Sequence, residues 1–183
     1  MVFADPGPLG HLIPAAVIGP VMTRADWWSC NASEAAALTG CRDPVAAARA
    51  LAARVGRPAA GQDAAGRNAA GRDAAGRDAA GRDAAGPAHP GSGGVLVRTG
   101  PAGCLVCRRS AAPVQVPGFR VNAVDTNGAG DAHTGTFIAA LAEGADEITA
   151  ARTANAAAAL SVTRRGPATA PTAAELARFL SAS

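Results

Sequence analysis

Short apolar runs and stretches of helical periodicity alternate along this chain, which predicts strands interleaved with helices. The opening Val2-Phe3-Ala4 reads as a buried strand ending at Asp5-Pro6, followed by a loop and an apolar segment. A second short strand covers Trp27-Trp28-Ser29-Cys30. Asn31-Ala32-Ser33-Glu34 then starts a short helix that stops near Gly40. Asp43-Pro44 places an N-cap ahead of a proline in the first helical position, so a helix is expected through Val55, stopping at Gly56.

Order resumes after Gly94, with a strand Val95 to Arg98, the turn Thr99-Gly100-Pro101-Ala102-Gly103, a strand Cys104 to Arg108, and an apolar stretch Val114 to Val116. Phe137, Ile138 and Leu141 recur at helical spacing within Ala132 to Ala142, ahead of Gly144. A further helix is expected from about Asp146 to Thr163. Thr172-Ala173-Ala174-Glu175 is a capping box for a last helix carrying Leu176, Phe179 and Leu180. Interleaving of this kind implies a layered α/β fold on a mainly parallel sheet.

The segment from Ala59 to Gly86 breaks the pattern by repeating a five-residue unit, AAGRD, with variants at Gln62 and Asn68. A glycine in every unit costs a helix about 1 kcal/mol each time, and no apolar residue larger than alanine recurs to build a solenoid. A solvated, disordered insertion is expected over 58–94, dividing the chain into 1–57 and 95–183. Arginine and aspartate nearly balance within it, so it is not an electrostatic tether.

Composition narrows the classes further. All 17 basic residues are arginine, and the net charge of +3 is small. The arginines are scattered with little aromatic interleaving, so nucleic acid is not the expected partner. No apolar run approaches the roughly 18 residues of a membrane span, and a cytoplasmic protein is expected. Of the four cysteines, Cys104 and Cys107 have CxxC spacing. On a strand, residues three apart point to opposite faces, so free thiols are favoured over a metal or redox pair.

Chemistry concentrates in Asp125-Thr126-Asn127-Gly128-Ala129-Gly130-Asp131. Gly128 and Gly130 let backbone N–H groups approach a bound phosphate, and the following helix would turn its positive end toward the same point. Asp131 at its lip could take a proton from an attacking hydroxyl. A plain glycine-rich turn with Asp131 as N-cap is the competing reading. A dinucleotide fingerprint is weak, because His133 stands at the third glycine position. A P-loop needs a lysine, and the chain has none.

Four motifs in order, NASE at Asn31 to Glu34, TGPAG at Thr99 to Gly103, VDTNGAGDAHTG at Val124 to Gly135 and ANAAAALSVTRRG at Ala154 to Gly166, resemble the C-terminal half of the ribokinase/PfkB carbohydrate kinase family. The resemblance implies a ribokinase-like three-layer sandwich limited to its nucleotide-binding half. It implies an ATP- and magnesium-dependent kinase acting on a sugar or nucleoside hydroxyl. Asp131 would be the base, and Gly128, Ala129 and Gly130 the anion hole. Asn31 and Glu34 match the motif on the magnesium and phosphate side, Glu34 acting through water, although Asn-x-x-Glu is also a capping box. Thr99, Gly100 and Gly103 match the nucleotide turn, and Asn155 falls where the family contacts adenine. Asp125 and Asn127, with carbonyls near Ser161, Arg164 and Gly166, match a loop that holds a monovalent cation, potassium, in many members.

Two departures from the family pattern stand out. His133 occupies an aromatic packing position, and Arg98 replaces a common threonine two residues before the first glycine of the nucleotide turn. The family's N-terminal half, with most of the sugar pocket and a lid that often makes the dimer contact, has no counterpart here. An unpaired sheet edge, an exposed apolar face and poor solubility alone are therefore expected. The rival expectation is a non-catalytic fragment that binds nucleotide or pairs with a separately encoded N-terminal half.

Overall fold

The computed structural model describes residues 1–56 and 93–183, so the repeat insertion expected over 58–94 lies almost wholly outside the described residues. Five strands form one sheet in sequence order: β1 (Phe3–Ala4), β2 (Trp27–Asn31), β3 (Gly94–Arg98), β4 (Gly103–Arg108) and β5 (Val114–Pro117). β1, β2 and β3 run parallel, with Trp27 beside Phe3 on one side and Gly94 on the other. β3, β4 and β5 run antiparallel. The sheet is thus mixed where a mainly parallel one was expected. The cause is the turn at Gly100–Ala102, which is too short for the crossover a parallel pair requires.

Helices cover both faces, giving three layers. On one side lie α1 (Ala15–Arg24), α2 (Ala32–Thr39) and α3 (Pro44–Ala52), and on the other α4 (Ala129–Ala142) and α5 (Glu147–Ser161), with α6 (Ala173–Ser181) against α5. The alternation of strand side chains separates two cores. Trp28, Cys30, Val95, Val97 and Leu105 pack with Met22, Ala48 and Leu51, whereas Trp27, Leu96, Val106 and Val116 pack with Phe137 and Ala154. The Trp27 and Phe137 rings meet edge to face at 4.8 Å. Cys104 and Cys107 fall in different cores, as strand spacing predicts, and both are free.

α1 occupies the apolar segment to which the sequence reading assigns no helix, and it contains Pro20. The helix survives because Ile18 and Met22 bury against the sheet, a gain that outweighs the amide lost at Pro20. Its other side is open. Val17 and Val21 on it are 55% and 45% exposed, and Leu9 and Leu12, in the segment before the helix, are 64% and 67% exposed. An apolar cavity of about 350 Å³ lies between Phe3, Ile13, Val17, Val21 and Trp28, and among the described residues β1 pairs only with β2. No described helix is long and apolar enough to cross a membrane.

Candidate active site

The three parallel strands end at one edge of the sheet, and their ends are polar: Asp5 follows β1, Asn31 closes β2 and Arg98 closes β3. Open α/β sheets take ligands at this edge. Arg98 is the hub. Its Nη1 donates to Asp5 Oδ2 at 2.7 Å, to Thr134 Oγ1 on α4 at 2.9 Å, and to the Ser29 hydroxyl. Its Nη2 stands 3.8 Å from Glu34 Oε2.

α2 begins at the same edge with a closed N-terminus. Asn31 Oδ1 accepts from the Glu34 N–H at 2.9 Å, and Glu34 Oε2 accepts from the Asn31 N–H at 2.7 Å. The capping box is formed, and it aims the Glu34 carboxylate at Arg98. No group of three His, Cys, Asp or Glu side chains among the described residues could hold a metal. Glu34 Oε1 has no hydrogen-bond partner among the described residues, which fits a magnesium ion that keeps most of its waters and takes its direct ligands from phosphates.

α4 begins differently. It starts at Ala129, three residues before the apolar pattern, because Gly128 turns the chain with φ of 78°. A Cβ on Gly128 would lie 2.1 Å from the Pro167 carbonyl oxygen, so only glycine fits. No side chain caps the helix, and the N–H groups of Gly130 and Asp131 have no acceptor within it. Asp131 is therefore a residue of the first turn, exposed, and not the N-cap. It lines a cavity of about 290 Å³ with Gly128, Ala132, Thr136, Pro167 and Ala170.

Asp125 anchors this loop. Its carboxylate accepts from the Gly166 N–H and the Asn127 N–H, each at 3.0 Å, and these bonds hold its carboxyl below the usual carboxylate range. The Ser161 carbonyl accepts from Thr169 Oγ1 at 3.0 Å, and the Gly166 carbonyl lies 3.4 Å from the same hydroxyl. Asp125, Asn127 and Gly166 are thus joined by backbone bonds to one carboxylate, and Thr169 links Gly166 to the Ser161 carbonyl, which also accepts from the Arg164 N–H at 3.2 Å. The Arg164 side chain points away, to Glu175 Oε1 at 2.7 Å.

The nucleotide turn is closed by Thr99, whose N–H and Oγ1 both donate to the Gly103 carbonyl, at 2.8 and 3.0 Å. Gly100 forms the outer bend of this turn with φ of 65°. Asn155 is buried behind it. Its Nδ2 donates to the Val116 and Pro117 carbonyls, both at 3.0 Å, and its Oδ1 lies 2.9 Å from His133 Nε2. The amide therefore ties α5 to β5 and α4, with both of its polar atoms used inside the protein. His133 is 2% exposed, and burial pushes its pKa down to about 4, so the ring is neutral and packs where an aromatic side chain would. Nε2 is then the donor to Asn155, and Nδ1 has no partner.

The edge contributes Asp5, Ser29 and Thr134, which sequence reasoning did not single out. Asp5 had one signal, its place at the end of a strand. The other two are ordinary hydroxyls until the fold sets them around Arg98.

The model of the pfkB family carbohydrate kinases matches residues 67–174, more than half of the chain. An ATP-dependent ribose-1-phosphate kinase of Halopiger xanaduensis is 51% identical over 65 residues, which are 36% of this chain and 22% of that protein. The ribokinase of Thermotoga maritima superposes with a TM-score of 0.68 at 26% identity, over 99% of this chain and 49% of its own. A ribokinase II of Escherichia coli solved with ATP and Mg²⁺ superposes with a TM-score of 0.64 at 22% identity, over 91% of this chain and 42% of its own. The chain spans less than half the length of each of these proteins. Ordered motifs, three-layer fold and family match agree that the chain belongs to the pfkB family of carbohydrate kinases.

Proposed function

We propose that this chain carries the nucleotide-binding and phosphoryl-transfer half of an ATP-dependent kinase acting on a sugar or nucleoside hydroxyl. The observation that carries the reading is the open start of α4: a glycine fixed against the Pro167 carbonyl, two amides without acceptors, and Asp131 exposed one turn in. Asp131 accepts the proton of the attacking hydroxyl as the new O–P bond forms and the bond to the leaving ADP oxygen breaks. The Gly130 and Asp131 N–H groups, with the positive end of the helix, stabilise charge on the transferring phosphoryl oxygens. Magnesium, when bound, neutralises phosphate charge, and Glu34 would hold it through water. Asp125, Asn127 and the carbonyls of Ser161 and Gly166 would hold potassium and keep the loop in register. Thr99, Gly100 and Gly103 would border the nucleotide, and Asn155 would support that border from behind.

The test is ATP turnover by the chain against a panel of sugars and nucleosides, with Asp131→Asn as control. Turnover that disappears in the variant is expected. No turnover on any acceptor by the chain supplied with a complementary N-terminal half, or a variant at full rate, overturns the assignment.

A second reading is favoured by the exposed apolar residues on and before α1 and by the edge of β1, which has no second strand partner among the described residues. In it the chain binds nucleotide and becomes active only with a complementary half, or a second copy, covering that face. Calorimetry with magnesium and ATP separates the two, because this reading requires ATP binding without sugar phosphorylation by the chain alone.

A further inference from the structure

The hydrogen bonds of Arg98 are unevenly shared between the two edges of its guanidinium. Nη1 has two hydrogens and three oxygen acceptors, on Asp5, Ser29 and Thr134. Nε and Nη2 have no hydrogen bond among the described residues, and the nearest carboxylate oxygen to Nη2, on Glu34, is 3.8 Å away. This second edge is the parallel pair of donors that grips a phosphate or carboxylate with two bonds. The guanidinium lies against the start of α4. A Cβ built on Gly130 would lie 3.7 Å from Nε and 3.8 Å from both Cζ and Nη2, over the face of that half of the group, which leaves the in-plane N–H directions of Nε and Nη2 clear of Gly130.

The surroundings fix that direction. The side chain is 15% exposed, and its anchored edge is tied to β1 through Asp5, to β2 through Ser29 and to α4 through Thr134. A swing away from Gly130 breaks all three ties. None of these groups can use the second edge, since Asp5 and Thr134 already meet Nη1 and Glu34 is held back by its bond to the Asn31 N–H. The carboxylates offset the buried charge without occupying the fork.

We propose that Arg98 is a phosphate-binding residue of this site, presenting Nε and Nη2 to the terminal phosphoryl group of a nucleoside triphosphate beside the Gly130 and Asp131 amides. Asp5, Ser29 and Thr134 are its positioning residues. The inference rests on the phosphoryl-transfer reading of the α4 loop and adds to it a cation that the glycine loop lacks. A terminal phosphate is favoured over a phosphate carried by the acceptor, because the guanidinium packs against Gly130 at the helix start and Arg98 is not among the residues lining the cavity of Asp131 and Thr136.

The test is calorimetric titration of the 183-residue chain with ATP, ADP and ribose 5-phosphate, each with magnesium, for wild type, Arg98→Ala, Arg98→Lys and Asp5→Asn. Charge-assisted bonds of this kind correspond to roughly 10- to 100-fold in affinity. Arg98→Ala is expected to lose about that factor for ATP while ADP changes by less than about twofold. Lysine keeps a charge beside the carboxylates but has no planar fork, so Arg98→Lys should fold as wild type and still lose most of the preference for ATP. Asp5→Asn, which loosens the anchored edge, should lose part of it.

The arms separate the failures. A wild-type chain that binds no adenine nucleotide overturns the phosphoryl-transfer reading and the Arg98 role together. A wild-type chain that prefers ATP over ADP, with the preference intact in folded Arg98→Lys, overturns the role alone. Loss confined to ribose 5-phosphate binding also overturns it, in favour of an acceptor-side anion site.

Discussion

Two helices begin at the same edge of the sheet, and only one of them is closed. α2 satisfies its first amides with its own Asn31 and Glu34. α4 has the left-handed Gly128 in the capping position and no side-chain cap. An N-terminal turn without a cap forfeits about 1 kcal/mol; α3, α5 and α6 have side-chain caps at Asp43, Asp146 and Thr172, and α1, which follows Pro14, has none. The contrast is what the proposed reading rests on. Amide donors that secure the fold at α2 have no side-chain cap at α4, where Asp131 is exposed in the first turn and Arg98 lies against Gly130.

The largest effect that tests this contrast is on turnover. Asp131→Asn should lower kcat by about 10²- to 10⁴-fold while ATP affinity stays within about twofold, since the amide keeps the side chain's shape. A steady-state comparison with a binding titration checks it, and an equal loss in both would mean that Asp131 holds the loop and does not act on the hydroxyl. Next is Gly128→Ala, whose Cβ would collide with the Pro167 carbonyl oxygen at 2.1 Å. A stability loss of about 3 kcal/mol is expected, with ATP binding lost below the midpoint of thermal unfolding. An alanine that leaves both unchanged removes the case for a built opening.

A pH titration tests what lies beneath the open turn. His133 has a folded pKa near 4 against an ordinary value of 6.5, so the unfolded chain binds a proton that the folded chain refuses. Its contribution to stability is complete above pH 6.5 and declines as pH falls toward 4, by at most about 3 kcal/mol. His133→Phe should flatten the fall of Tm across that window, even though Asn155 Oδ1 then loses its donor. The smallest effect belongs to the closed helix, where Asn31→Ala should cost about 1 kcal/mol. The same change should shift ATP affinity less than Arg98→Ala does; the reverse order would make α2 the phosphate-binding end.

Much of the architecture was legible because short-range rules govern it. Strand alternation placed Cys104 and Cys107 in separate cores, and the caps at Asn31, Asp43, Asp146 and Thr172 marked helix starts. α1 reads in sequence as an apolar segment without an assigned element; the helix, which contains Pro20, is secured by burial of Ile18 and Met22, a tertiary fact. The start of α4 was misplaced because Ala129 and Gly130 carry no apolar signal. In the site, the glycines and Asp131 were visible through motif order. The Arg98 network was not, since it joins residues 93 positions apart in sequence. Only the packing of β1 beside β2 and β3 brings Asp5 to that guanidinium.

The repeat segment enters and leaves the fold at nearly one point. A Cβ built on Gly56 would lie 2.8 Å from the Gly93 nitrogen, and Gly93 leads into the end of β3 remote from Arg98. Joined ends make the cost of the intervening length nearly constant, since doubling a loop adds only about 0.6 kcal/mol. A change in the number of AAGRD units would therefore cost the described fold little, and it would enter at the end of β3 remote from Arg98 and the proposed site.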